Sequence, residues 1–244
     1  ENGQPVKSAH FLKWSAKGAQ DGELSFVSGH PGTTRRLLTV PELEYIRDNQ
    51  FPYQLALLKR REVLLSNWGH RDAENARRAK DELFGIQNTR KARDGAIAAL
   101  HDPEFFGAKI AAEAAFKKHL ADRADGTDAL AAFARIADAQ KAIAKIATRQ
   151  RLLEGLVAFN ADSFGLARHL LRAGDERPKP NGERLKEYSD ARRESFEQQL
   201  FSDKPIYPDL EIVTLADSLT YLVEQLGAGD AVVKAVLAGK SPRA

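Results

Sequence analysis

A serine nucleophile needs a sharp turn that exposes it, amides that hold an oxyanion, and a histidine base oriented by a carboxylate. Ser28, followed by Gly29 and His30, is the serine of this sequence placed at such a turn. The Gly-x-Ser-Gly surroundings of an activated serine are missing there, and a serine and a histidine close together on one strand end do not build a triad. A structural turn with His30 satisfied locally is the favoured reading, and no catalytic residue is assigned. The histidines, His10, His30, His70, His101, His119 and His169, show no His-x-x-x-His or His-Glu-x-x-His spacing that would set two imidazoles on one helix face. Cysteine is absent, which excludes disulfides, thiolate zinc sites and a cysteine nucleophile together. No metal or cofactor is expected. Glu42 and Glu44 read as a solvated helix face rather than an acid/base pair.

Asn88 has more to offer by position. Phe84, Asn88, Lys91 and Gly95 follow at intervals of four, three and four, so they line one stripe of a helix, rotated away from a second stripe through Leu83, Ile86 and Ile97. A glycine inside a helix costs about 1 kcal/mol relative to alanine, which makes sense at Gly95 if a ligand or another backbone comes close. An asparagine amide both donates and accepts, and so suits a terminal amine or a peptide carbonyl. From spacing alone a surface or packing role for Asn88 is favoured.

The elements that must carry these residues change character near residue 38. Before it, Phe11-Leu12 with Trp14, and Leu24 to Gly29, read as two short strands around a turn-like Lys17–Gly22, with Gly29-His30-Pro31-Gly32 closing the second. Two strands alone are marginal in water, so this hairpin must pack on the residues after it or belong to a larger sheet. Beyond the hairpin, Thr39 and Glu42 form a capping box and helical period takes over. A long helix is expected from about Asp72 to His101, stopped by Asp102-Pro103. Another runs through Phe105, Ile110, Phe116 and Leu120 to Gly126, and the most regular one from Thr127 through Leu153 to Val157. Further helices pass through Phe164 to Gly174, Leu185 to Leu200, Ile212 to Leu226 and Asp230 to Leu237, with one clear loop at Arg177–Gly182. The fold class is therefore mainly α, a multi-helix domain preceded by a short β-hairpin.

Composition narrows the partners. With 244 residues and 43% hydrophobic content the chain can fill a core. Lys+Arg 37 against Asp+Glu 34 gives a net charge of only +3, both signs are interspersed, and no basic run is interleaved with aromatics. That is a solvated surface and no nucleic-acid patch. No run of eighteen apolar residues and no signal-peptide start are present. The chain opens on Glu1 and contains no methionine, which suggests a processed or engineered fragment.

Several segments resemble the dipeptidyl peptidase 7 and 11 family of bacterial serine exopeptidases. They are Phe11 to Ser15, Gly18 to Leu24 and Phe26 to Arg35, with Gly85-Ile86-Gln87-Asn88-Thr89-Arg90-Lys91 and Leu237 to Pro242 downstream. The resemblance is strongest over residues 11–40 and weakest between about 105 and 150. It implies a chymotrypsin-like double barrel with a helical domain inserted between the catalytic Asp and Ser. Residues 1–38 would end the first barrel lobe and residues 39–244 form the helical capping domain. The triad's His and Asp would precede residue 1 and its Ser follow residue 244.

The same resemblance implies an enzyme that removes dipeptides from the free N-terminus of oligopeptides, lies in the periplasm or at the cell surface, and pairs as a homodimer. An Asn-x-x-Lys-x-x-x-Gly pattern in the family helps hold the substrate's α-amino group, and Asn88, Lys91 and Gly95 match it. Relatives carry aromatics directly after the Asn where this chain has Thr89 and Arg90. The alternative is a stand-alone helical module that docks partner helices or peptides. It holds if the reading frame around this chain lacks a chymotrypsin-like His, Asp and Gly-x-Ser-Gly set. A nucleic-acid binder is the weakest reading.

Overall fold

The computed structural model describes residues 5, 7–29, 35 and 37–244. It divides into two compact units, Glu1–Leu37 and Leu38–Ala244. In the first, the turns are in place: the Gly18 amide donates to the Ser15 carbonyl at 3.3 Å and the Glu23 amide to the Gln20 carbonyl at 3.1 Å. The strands are not. Among the described residues no strand forms, and the segment is extended chain with exposed side chains. Leu12 and Trp14 are each 95% exposed and Val27 97%. The physical reason is the missing partner. β-Branched and aromatic residues favour strands because they fit a half-buried pleated surface, and the described residues of this segment do not build one among themselves. His30, Pro31 and Gly32, with most of the expected closing turn, lie outside the described residues.

The second unit is helical throughout, from α1 (Val40–Tyr45) and α2 (Phe51–Gly69) to α3 (Ala73–His101), α4 (Pro103–Ala121) and α5 (Gly126–Leu153). α6 (Asp162–Glu176), α7 (Arg193–Leu200), α8 (Pro208–Leu226) and α9 (Ala231–Leu237) follow. The chain passes from α1 to α2 through a stretch of wider, π-type turns at Ile46–Gln50, ahead of Pro52, whose ring nitrogen can donate no hydrogen bond. Sequence signals set several boundaries. The Thr39 amide and hydroxyl both donate to the Glu42 carboxylate, at 2.7 and 2.8 Å. Asp72 caps α3 by accepting from the Asn75 amide at 2.8 Å. Asp102 ends α3 and caps α4, accepting from the Glu104 and Phe105 amides at 2.9 Å each.

α2 runs through all three apolar clusters. Phe51 joins Ile46, Leu100 and Phe106 at the α1–α3–α4 end. Tyr53 and Leu57 pack on the cluster of Leu152, Ala158, Tyr221, Leu222 and Val233, which ties α5, α8 and α9 together. Leu65 and Trp68 meet Ala79 and Ile86 of α3 and Leu210 of α8.

Three expectations change. The helix expected to continue through Val157 stops at Leu153. The Val157 and Ala158 amides turn back to the Arg151 and Leu152 carbonyls at 3.2 and 3.1 Å. A Cβ on Gly155 would stand 2.6 Å from the Arg151 carbonyl oxygen, so a side chain there would obstruct the turn. Gly126 opens α5 rather than ending the helix before it, and a Cβ on it would sit 1.7 Å from the Leu120 carbonyl oxygen. Between Leu185 and Leu200 only α7 is α-helical. Ahead of it lie short 3₁₀ turns at Asn181–Glu183, Lys186–Tyr188 and Asp190–Arg192. There the Tyr188 hydroxyl meets the His169 imidazole at 3.0 Å and its ring packs edge-on against Phe196.

Candidate functional site

α2 and α3 form an antiparallel hairpin held by apolar contacts inside and polar clamps along its edge. Gly69 lies against Ala76 near the turn, and Leu65, Trp68, Ala79 and Ile86 fill the seam. Further along, Arg90 donates to both oxygens of Glu62 at 2.6 and 3.3 Å and to Asp94 at 3.0 Å. The Gln87 amide reaches Glu62 at 3.2 Å, and Arg93 donates to Gln54 at 3.1 Å while covering the Phe51 ring. The bond from Arg90 holds the Glu62 carboxyl below the usual carboxylate range. These clamps fix the roll of α3 about its axis.

That roll decides where Asn88 points. Phe84, Asn88, Lys91 and Gly95 all lie on the exposed side of α3, roughly opposite the Ala79–Ile86 core stripe. Phe84 is 71% exposed. No hydrogen bond within the described chain engages the Asn88 amide or the Lys91 ammonium, so donors and acceptors are free for a partner. Among the described residues nothing stands within 4 Å of a Cβ built on Gly95, so none of them makes the close approach that would justify its glycine. Next to Asn88, the exposed Thr89 hydroxyl donates back along the helix to the Gly85 carbonyl at 2.8 Å, and Arg90 turns towards α2 to hold Glu62. A shallow depression of about 520 Å³ adjoins the stripe, lined by Leu65, Gly69, Ala76, Leu83, Phe84 and Gln87. The structure thus gives Asn88 an open, rigidly held, amphipathic rail.

Ser28 is exposed on extended chain. Among the described residues no three His, Asp or Glu side chains converge as a metal-binding group, and no helix is long and apolar enough to cross a membrane.

A second concavity, of about 1140 Å³, has no counterpart in the sequence reading. Its walls are Arg61 of α2, the start of α3, the segment Gly155–Ala161, the start of α6, the stretch from the end of α7 to α8, and α8 itself. α8 anchors two of them: the Asn160 amide donates to the Ser218 hydroxyl at 3.1 Å, and the Ser163 amide to Glu211 at 2.9 Å. Arg60 and Arg61 sit next to it and diverge. Arg60 donates to Asp217 and Glu224, at 2.9 and 2.6 Å, whereas Arg61 lines the groove. Nothing in two consecutive arginines signals that difference.

The chain as a whole matches the family model for peptidase S46 over residues 1–244. It belongs to that family. It is also similar to the Asp/Glu-specific dipeptidyl-peptidase of Shewanella putrefaciens, at 28% identity over 113 residues. The matched stretch is 46% of this chain and 15% of that protein.

Proposed function

We propose that this chain is the substrate-capping helical domain of a serine dipeptidyl aminopeptidase, with Asn88 holding the free α-amino group of an oligopeptide. The carrying observation is the α3 stripe, which is rigidly clamped, turned away from its own core, and leaves the amide of Asn88 without an internal partner. An asparagine carbonyl accepts from an ammonium and its NH₂ donates to the first peptide carbonyl, so one side chain reads a peptide terminus. Fixing the terminus sets the second peptide bond against a nucleophile supplied by the catalytic barrel. The serine oxygen attacks that carbonyl, the downstream peptide departs as an amine, and water hydrolyses the dipeptidyl ester. Lys91 and Gly95 support the site, Lys91 by its charge and Gly95 by leaving the rail low where a substrate or the barrel approaches. The periplasm or cell surface is the compartment that goes with this reading.

The test is kinetic. In the complete enzyme, Asn88→Ala lowers kcat/KM on dipeptidyl substrates at least tenfold, about 1.4 kcal/mol of transition-state stabilisation, and N-acetylated substrates, already poor, lose nothing more. Unchanged kinetics reject the role. The 244-residue chain alone releases no chromophore from dipeptidyl substrates, and activity blocked by a serine-directed inhibitor would overturn the assignment of catalysis to the barrel.

A further inference from the structure

Among the described residues, half-buried arginines follow a rule with one exception. Arg47 pairs with Asp48, Arg60 with Asp217, Arg78 with Glu74, Arg90 with Glu62, and Arg172 with Glu154. Arg93 donates to Gln54, Arg151 to the Tyr45 hydroxyl, Arg168 to the Glu154 carbonyl and Arg184 to the Lys179 carbonyl. Arg61 is equally half-buried and has no hydrogen bond, ion pair or ring contact of its own among the described residues. A guanidinium presents five N–H donors in a planar fork that matches a carboxylate, and those of Arg61 stay open to solvent and so to a ligand.

Across the same groove stands Glu82, on α3. It is accessible to solvent, yet the protein surrounding it pushes its carboxyl above the usual range, as burial pushes the Arg61 guanidinium below its own. The two attract each other without closing into an ion pair. Of the other charges lining this space, Lys204 pairs with Asp162 at 3.1 Å, Arg78 with Asp209 at 3.1 Å and Arg77 with Glu74 at 2.7 Å, while Asp81, on the same turn of α3 as Glu82, has no partner among the described residues. Among the described residues the groove therefore offers one unpaired guanidinium, Arg61, and unpaired carboxylates on α3, with a stacked Phe159–Phe164 pair and Tyr207 nearby as apolar wall.

We propose that this groove is a binding site for a short zwitterionic peptide, its C-terminal carboxylate on Arg61 and its ammonium on Glu82. A single molecule then meets an unpaired guanidinium and an unpaired carboxylate together, which a carboxylate alone or an amine alone would not. The volume of about 1140 Å³ is comparable with clefts that hold ligands of drug size, roughly 300–1,000 Å³, which accommodates a dipeptide with its side chains. Asn88, Lys91 and Gly95 do not line the groove, so the site does not depend on their role. A dipeptide with both termini free is also what a dipeptidyl aminopeptidase releases, which would make the groove a place where product is retained.

The test is calorimetric titration of the 244-residue chain with dialanine, its C-terminal amide and its N-acetyl derivative. Dialanine binds, amidation weakens binding at least tenfold because the fork loses its carboxylate, and acetylation weakens it several-fold. Arg61→Gln reproduces the loss caused by amidation and makes the chain indifferent to it, whereas Asn88→Ala leaves all three affinities unchanged. Equal binding of dialanine and its amide, or no binding at millimolar concentration, overturns the proposal. Should Arg61→Gln fail to fold, the comparison of ligands on the unaltered chain decides. A chain that binds no dipeptide while Asn88→Ala still cripples cleavage rejects the groove and keeps the capping role. The reverse pattern rejects the capping role and keeps the groove.

Discussion

The extended segment 7–29 and the helical body 38–244 are both rich in apolar and aromatic residues, yet only one of them buries its own. In the body, Leu152 and Leu222 are 0% exposed, whereas Phe11, Trp14, Leu24 and Phe26 face solvent. The difference lies in where hydrogen-bond partners come from. A helix satisfies its amides within four residues, so an amphipathic sequence can form it and then seek a neighbour. A strand has no backbone partner until another strand arrives. The same residue types thus specify structure in one region and only a readiness for structure in the other.

The sharpest way to break that contrast is to delete a large side chain from each region. Leu222→Ala removes a side chain from the cluster joining α5, α8 and α9 and is expected to cost about 2–5 kcal/mol, seen as a lower urea midpoint with unchanged slope. Trp14→Ala in the same chain is expected to change stability by less than about 0.5 kcal/mol. A comparable loss from Trp14→Ala would mean that the extended segment is packed after all.

A middle-sized effect separates local from long-range stabilisation within the body. Glu113 is buried on α4, accepts from the Val40 amide at the start of α1 at 2.6 Å and from Lys117 at 2.6 Å. Glu113→Ala leaves that amide and ammonium without their acceptor and should cost about 1–3 kcal/mol. Glu113→Gln, which keeps an acceptor oxygen, should recover part of the loss. If Glu113→Ala is no worse than a surface substitution, the body is held by local helix formation and apolar clusters alone.

The local counterpart is Asp102→Ala, which removes a cap from α4 and is expected to cost about 1 kcal/mol. Asp102 was legible in the sequence as the stop of α3, because the proline after it cannot continue that helix; its cap on α4 was not read there. Also legible were Asp72, the Thr39–Glu42 box and the outward stripe of Asn88, all of which rest on spacings within one helical turn or one helix face. Glu113 was not, since its partner lies 73 residues away. The end of α5 at Leu153 was missed because the apolar period runs on past a Gly155 whose need for close approach appears only in three dimensions. Arg61 was hidden for the same reason: α8 brings its carboxylates to Arg60 and not to the next residue. What Asn88 would hold came from resemblance, and the geometry adds that its amide is free and its helix clamped.

The smallest expected effect tests whether surface charge matters to the body at all. Glu74, in the first turn of α3, accepts from Arg77 at 2.7 Å and from Arg78 at 2.8 Å. Those bonds, Arg77's first, hold its carboxyl at about 2 in place of the ordinary 4.5. A carboxyl lowered on folding stabilises the native state above its unfolded value and loses that contribution as pH falls through the folded one. The relevant window is therefore between about 4.5 and about 2. The group is on the open surface, where side-chain entropy and salt erode such pairs, so global stability should hardly register it and the readout must be local. In a carboxyl-resolved NMR titration Glu74 should titrate near 2, and Arg77→Gln should move it up towards 4.5, with Arg78 keeping it from the full return. A Glu74 that titrates at 4.5 in the unaltered chain would show the pair to be broken in solution, leaving the Asp72 cap and the buried seam with α2 to fix the start of α3.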